Sequence, residues 1–329
     1  MSDISKYVFR EVNEQDIEPL YNLAVASNYH SDNLPQDVSL IETDIHKAVI
    51  DFSILRLGGV VRRPLFMFVL EDTETHSVVG CSRLSDVPFR LLYELRPDLY
   101  PSLGGDLMGE LSLRKEVDVW ELGALLLSES VRGMGLGKLL SYGRFLYALH
   151  ANLKPRMLIS GFVATHPFLA HMWEKELSTD DKFVNWRDAG KLYEYWRRLP
   201  ERISLQRDFG YVGDPTHVEV QPLAQKARKM LMGVGFTFLR QIEATGVLWY
   251  GTNWQIVQLL MLSRKISPGR IRSDGCKKAC YTNFGVVVLR SPYFRCCYVP
   301  VDVNKQKLVH VSENDMQLGN LSELYVFEK

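Results

Sequence analysis

Val119-Trp120-Glu121-Leu122-Gly123-Ala124-Leu125-Leu126-Leu127 is an apolar run with one embedded acid; after Ser128-Glu129-Ser130 it leads into Val131-Arg132-Gly133-Met134-Gly135-Leu136-Gly137-Lys138. An apolar run of this length reads as a strand covered on both faces. Beyond the glycines, Leu136, Leu139, Leu140, Gly143 and Leu146 or Tyr147 fall at three- and four-residue steps, the period of a helix with one apolar face. Strand, glycine turn and helix thus follow one another. Such a turn exposes backbone N–H groups, unscreened by side chains, at the positive end of a helix dipole, where a phosphate can sit. A loop that merely needs positive φ leaves the same trace, so a structural reading stands beside the binding one.

The spacing narrows the choice of phosphate. A triphosphate-binding loop needs Gly where Arg132 stands and Ser or Thr where Leu139 follows Lys138, and a dinucleotide fingerprint needs its third glycine at position 138, which is Lys. Neither pattern is met.

Outward from the turn, strands and helices alternate. Tyr7 to Arg10 reads as a strand, Glu14 to Ala24 as a helix, Ser27 to Gln36 as a polar loop and Val38 to Phe52 as a second helix with Ile41, Ile45 and Val49 on one face. Leu65 to Leu70 and Val78 to Ser82 flank a polar stretch and predict a β-hairpin. Phe89 to Lys115 shows no regular pattern. Met157 to Val163 is another buried strand, Pro167 to Leu177 a short helix, Val220 to Gly233 a helix with Leu223, Ala227, Met230 and Leu231 on one face, and Phe236 to Ile242 a returning strand. From Tyr281 to Phe327 short β-rich runs are separated by turn residues, which predicts a small all-β unit. The expected division is a core over 1–250 and a β-rich domain over 251–329, with the linker in or before Ser267-Pro268-Gly269-Arg270.

Composition excludes other classes. The 329 residues are 46% hydrophobic and 24% charged, enough for a sizeable core and unlike a disordered chain. Thirty-nine Lys and Arg balance 39 Asp and Glu, which removes the electrostatic footprint of a nucleic-acid or anionic-membrane binder. Five cysteines, Cys81, Cys276, Cys280, Cys296 and Cys297, give no disulfide framework, and Cys276 with Cys280 lacks the histidines of a zinc site. The start carries no basic-then-apolar leader, and no stretch approaches about 18 uninterrupted apolar residues. The expectation is a soluble cytoplasmic protein with a small-molecule partner and no metal.

Entered from an apolar strand, Arg132-Gly133-Met134-Gly135-Leu136-Gly137-Lys138 resembles the pyrophosphate-binding turn of the Gcn5-related N-acetyltransferase superfamily. That resemblance implies coenzyme A. Ala227, Leu231, Gly235 and Phe236 keep the spacing of a later superfamily helix that runs through Gly-Phe into a strand, and the order of elements before the turn matches as well. A closer resemblance is to the arginine N-succinyltransferase family. It is carried by Phe9 to Val12 with Leu34-Pro35, by Phe68 to Thr75, Glu121 to Leu127, Gly137 to Phe145 and Ala227-Arg228 through Gly235-Phe236, with Phe294-Arg295 in the tail. The family transfers a succinyl group from succinyl-CoA to the α-amine of arginine. The resemblance therefore implies an α/β fold of the Gcn5-related type with a small C-terminal β-barrel, and succinyl-CoA or another acyl-CoA as co-substrate. It also implies arginine or a similar amine as acceptor and association of like or paralogous chains. By position it places the acyl-CoA on Leu125, Leu126, Leu127, Arg132, Gly133, Gly135, Gly137 and Lys138.

One departure stands out. The family carries a catalytic histidine before proline at the start of the later helix, and here the pair reads Gln221-Pro222. Glutamine cannot exchange a proton near neutral pH. Either another group substitutes, or the chain is an acyl-CoA-binding regulatory or partner subunit. Two groups are candidates for proton transfer. Glu121 sits in an apolar strand, where desolvation would raise its pKa toward that of a base, though a carboxylate paired with Arg or Lys at a strand start explains it equally. His217 could reach the same cleft, against an exposed position after the Asp214-Pro215-Thr216 turn. His166, His171, Ser31, Asp32 and Asn33 offer polar contacts for an amino acid or simply solvated loop positions, and Tyr193, Tyr195 and Trp196 offer a stacking site or helix packing. Leu231 occupies the place of the superfamily's frequent tyrosine acid.

Overall fold

The structure, a computed structural model, describes residues 4–27, 34–86, 91–95, 108–113, 119–163, 202–204, 220–243, 247–267, 271–274, 283–289, 293–303, 309–312 and 323–327. In chain order the described elements begin with strand β1 (Tyr7–Glu11), helices α1 (Ile17–Ala26) and α2 (Val38–Arg56), and strands β2 (Leu65–Asp72) and β3 (Ser77–Asp86). Strands β4 (Leu91–Leu95), β5 (Met108–Leu113) and β6 (Val119–Leu127) precede helix α3 (Leu136–His150). Then come β7 (Met157–Val163), β8 (Arg202–Ser204), α4 (Pro222–Met232), β9 (Thr237–Glu243), β10 (Val247–Asn253) and α5 (Trp254–Ser263). The tail contributes β11 (Lys265–Ile266), β12 (Ile271–Asp274), β13 (Asn283–Leu289), β14 (Arg295–Val303), β15 (Val309–Ser312) and β16 (Glu323–Phe327).

Contacts divide the chain into two units. The first holds residues 1–86, 122–155 and 254–329, the second 87–121 and 156–253. A change of unit falls at 253/254, and the tail from residue 254 shares its unit with the first strand.

In the first unit, β1 is paired on both sides, by β2 and by β14 in antiparallel register (Val8 opposite Glu71 and Cys297). Outward from β14 run β13, β16 and β11, all antiparallel, and β15 also pairs with β14 and carries β12 parallel to it. Closure of the tail into a barrel, expected from the sequence, is not seen among the described strands. The reason for the intimate pairing is apolar. Phe9 stacks on Phe68 with ring centroids 4.8 Å apart, and Phe294 of the tail meets Tyr147 of α3 at 5.2 Å. Such ring pairs add about 0.5–1.5 kcal/mol beyond the area they bury.

Helix α2 forms where the sequence predicts, and its start is set by Asp37, whose carboxylate accepts the N–H groups of Ser39 and Leu40. Ile41, Ile45, Ala48 and Phe52 face the core, and buried Asp51 accepts the N–H of Leu65 at 2.8 Å, tying the helix to β2. Helix α3 buries Leu136 and every residue from Leu139 to Ala148, as expected of a helix covered on all sides.

The second unit begins with the parallel pairing of Val119, Trp120 and Glu121 against Met157, Leu158 and Ile159. From β7 the order continues through β10, β9, β4, β5 and β8 in antiparallel register. Helix α4 starts at Pro222, a proline in its first turn, where the missing N–H costs nothing. No described helix is long and apolar enough to cross a membrane. His217, His166, His171, Ser31, Asp32, Asn33, Tyr193, Tyr195, Trp196, Cys276, Cys280 and the helix expected over 167–177 lie outside the described residues.

Candidate active site

The site is built around the end of β6. Residue 124 is an alanine at φ +51, which turns the strand out of regular pairing and frees the carbonyls next to it. Both are taken up from within the core of the first unit. The Cys81 thiol donates to the Ala124 carbonyl at 3.3 Å, and the Arg144 guanidinium donates to the Gly123 carbonyl at 3.4 Å, to the Arg83 carbonyl at 3.2 Å and to the Ser141 hydroxyl at 3.1 Å. Arg144 is fully buried, and desolvation lowers its pKa to about 9, so it remains charged at neutral pH. Burial pushes the Cys81 thiol up to about 12, so it remains a thiol. These two residues hold the bulge.

Past the bulge, Leu125, Leu126 and Leu127 are each half-buried. Their end of the strand is seated on β3 by a glycine: a Cβ at Gly80 would lie 2.7 Å from the Leu127 side chain and 2.9 Å from the Leu126 carbonyl. Ser128 then donates its N–H to the Val79 carbonyl at 2.8 Å.

The turn follows at once. Gly133 and Gly135 both adopt φ +87, left-handed values that residues with a Cβ seldom take. Both are exposed, and a Cβ at either would meet nothing within 4 Å. Gly135 is the N-cap of α3, and no side chain caps the helix there. The first amides of a helix have no partner within it, so the entrance of α3 presents donors and a positive dipole end toward open space. Arg132 stands at the rim, its Nε donating to the Leu127 carbonyl at 3.2 Å and its Nη1 to Glu129 at 3.1 Å. Gly137 and Lys138 lie in the first turn of the helix and are half-buried.

The structure therefore brings Leu125, Leu126, Leu127, Arg132, Gly133, Gly135, Gly137 and Lys138 together in the first unit. Glu121 and Gln221 belong to the second. Glu121 is 1% exposed and sits opposite Ile159 on β7, while Gln221 donates its N–H to the Val163 carbonyl at 2.9 Å at the other end of the same strand. Four residues of strand separate those two anchor points, about 13 Å at the usual rise. One acid/base pair is thus not formed by Glu121 and Gln221 acting on a single atom. Leu231, in the place of the frequent tyrosine acid, is buried. Among the described residues no cluster of His, Cys, Asp and Glu is arranged to hold a metal ion.

Residues 7–87 match the family profile of the arginine N-succinyltransferase beta subunit. Over its whole length the chain is similar to arginine/ornithine succinyltransferase subunit AI from Pseudomonas aeruginosa, with 18% identity, 98% of this chain and 99% of that one covered, and a TM-score of 0.69. Fainter likenesses are to an acetyltransferase of the GNAT family from Desulfovibrio desulfuricans (8% identity, 75% and 99% covered, TM-score 0.39) and to the ribosomal-protein-S5-alanine acetyltransferase from Vibrio fischeri (9%, 75% and 93%, TM-score 0.37). No curated protein matches by sequence. The chain thus shares the mixed α/β fold of that succinyltransferase subunit, and the resemblance to the arginine N-succinyltransferase family expected from the sequence is met by the profile over residues 7–87.

Sequence reasoning passed over Arg144 and Cys81 as site residues. Gly143-Arg144 does lie within a segment that carried the family resemblance, but a lone arginine on a helix reads as solvated surface. Its role appears only once the bulge at Ala124, which no local signal marks, supplies the carbonyls it serves.

Proposed function

We propose that the protein is a cytoplasmic acyl-CoA-dependent N-acyltransferase that moves a succinyl group from succinyl-CoA to the α-amine of arginine or a similar basic amino acid. The observation that carries this reading is the exposed entrance of α3, with two left-handed glycines and no capping side chain. The turn from Arg132 to Lys138 holds the diphosphate of CoA, and the half-buried run Leu125 to Leu127 lies along the pantetheine arm and thioester. The family match over residues 7–87 supports succinyl as the acyl group. Ornithine joins arginine as a candidate acceptor because the Pseudomonas aeruginosa relative is named for both. The chain works in association with like or paralogous chains.

In the reaction the neutral amine attacks the thioester carbonyl, the C–N bond forms, and the tetrahedral oxyanion collapses with loss of the thiolate. The amine gives up one proton and the thiolate takes one. Gln221 can donate or accept a hydrogen bond but cannot carry that proton. Glu121 or His217 carries it.

Calorimetric titration with succinyl-CoA and acetyl-CoA, followed by thiol release with arginine, ornithine and peptide amines, tests the reading. Succinyl-CoA binding with thiol release on arginine or ornithine supports it; absence of CoA binding sinks it. Tight binding with no release for any amine would establish the chain as a partner subunit. In Gln221→His the restored imidazole should raise kcat by about an order of magnitude or more, with a new inflection near pH 6.5 in the rate profile. An unchanged profile would show that the proton travels elsewhere.

A further inference from the structure

The tail is in contact with the length of α3. At the end of the helix, Phe294 stacks on His150 at 5.6 Å and meets Tyr147. In the middle, Phe327 of β16 stacks on Tyr142 at 4.8 Å, with the Arg264 guanidinium over both rings. At the entrance, Tyr298 of β14 reaches the glycine turn itself. Its hydroxyl donates to the carbonyl of Gly135 at 3.3 Å, and its oxygen accepts the N–H of Leu139. The phenol is 5% exposed, and burial holds its pKa well above the ordinary tyrosine value. It stays a donor at any working pH.

These two contacts bear on the residues that decide where the helix amides point. Gly135 has no Cβ and no capping side chain, and its carbonyl also accepts the N–H of Lys138 at 3.0 Å. A hydroxyl bonded to its carbonyl and to the amide four residues on fixes that peptide's plane relative to the first helical turn. Among the described residues the neighbouring amides of Leu136 and Gly137 meet no backbone acceptor, which leaves them for a ligand. The hydrogen bond crosses 163 residues of sequence, and it makes the C-terminal strands part of the machinery at the turn.

We infer that Tyr298 is a positioning residue for the diphosphate of acyl-CoA: it orients the helix entrance and does not touch the reacting atoms. This rests on the proposed function, and the test keeps the two apart. In Tyr298→Phe the ring and its packing remain while the hydroxyl is lost. One hydrogen bond of this kind contributes about 0.5–1.5 kcal/mol, so the Kd for CoA measured by calorimetry should rise about two- to tenfold. The Kd for arginine should stay put, and the thermal midpoint should fall by no more than a few degrees, the loss of one hydrogen bond. Amide hydrogen exchange in the free protein should quicken at Leu136 to Leu139 and nowhere else. If wild type binds CoA and Tyr298→Phe binds it equally well, the inference falls and the function stands. If the variant loses arginine affinity and exchange protection throughout the first unit, the role is structural and the inference falls too. If wild type itself does not bind CoA, the function fails first and the inference with it.

Discussion

Two helices of the first unit begin in opposite ways. At α2 the N-cap is Asp37, in an extended conformation, with its carboxylate on the N–H groups of Ser39 and Leu40. At α3 the N-cap is Gly135, left-handed, with no side chain to offer. Both entrances carry the same partial positive charge and the same unpaired amides. The chain neutralises one with its own acid and leaves the other facing outward beside a second left-handed glycine. Capping is worth about 0.5–2 kcal/mol to a helix, and α3 goes without it, as α1 and α4 do; what sets α3 apart is the pair of exposed left-handed glycines at its entrance. Under the function proposed above, the diphosphate of CoA takes the place of a cap there.

The largest break in this contrast comes from Gly135→Val. A branched side chain at φ +87 is strained by about 1–2 kcal/mol or more, and the backbone relieves that strain by turning the Leu136 and Gly137 amides. Losing two hydrogen bonds to a charged acceptor, at about 1.5–3 kcal/mol each, should weaken CoA binding by about two orders of magnitude or more. Retained affinity in a folded Gly135→Val protein would mean that the turn is only a turn. A sharper comparison copies α2 onto α3. In Gly135→Asp the left-handed backbone is tolerated better, and the new carboxylate competes with the diphosphate for the same amides. The thermal midpoint should hold or rise while the Kd for CoA increases about tenfold, one charged hydrogen bond's worth. A rise in stability with no loss of affinity would separate the cap from the binding site.

How much of this was readable beforehand differs between the two halves of the site. The turn was legible because glycine spacing, an apolar strand before it and a helical period after it are all local, and the strand over 119–127 lies where its composition placed it. The bulge inside that strand was not, because the left-handed residue is Ala124 and not the adjacent Gly123. Arg144 and Tyr298 follow from it and from β14: each is a polar residue buried against carbonyls that only the tertiary fold brings near. The pairing of β14 on β1 joins residues nearly 290 apart, beyond any local pattern. Strand β10 and helix α5 were missed for a different reason. Only Gly251-Thr252-Asn253 separates the short apolar run Val247 to Tyr250 from the apolar-rich stretch that begins at Trp254, and a run of four residues is too short to show a period of its own. Gln221 was read as a departure from the family pattern, and its distance from Glu121 along β7 needed the parallel register.

The smallest expected effect lies on the capped side of the comparison. Hydrogen bonds from Ser39 and Leu40 hold the Asp37 carboxyl below its ordinary value. A carboxylate with a depressed folded-state pKa contributes stability above the unfolded pKa near 3.9, and that contribution is lost as pH falls through the folded value. Asp37→Ala should therefore lower the thermal midpoint slightly at neutral pH, with the gap to wild type closing as the solution is acidified below about pH 4. CoA affinity should not move, since α2 starts at a cap the chain has already filled. A change in CoA binding without a change in midpoint would reverse the assignment of roles: the entrance of α2 would then be the one that serves the ligand, and the bare glycines of α3 would need another explanation.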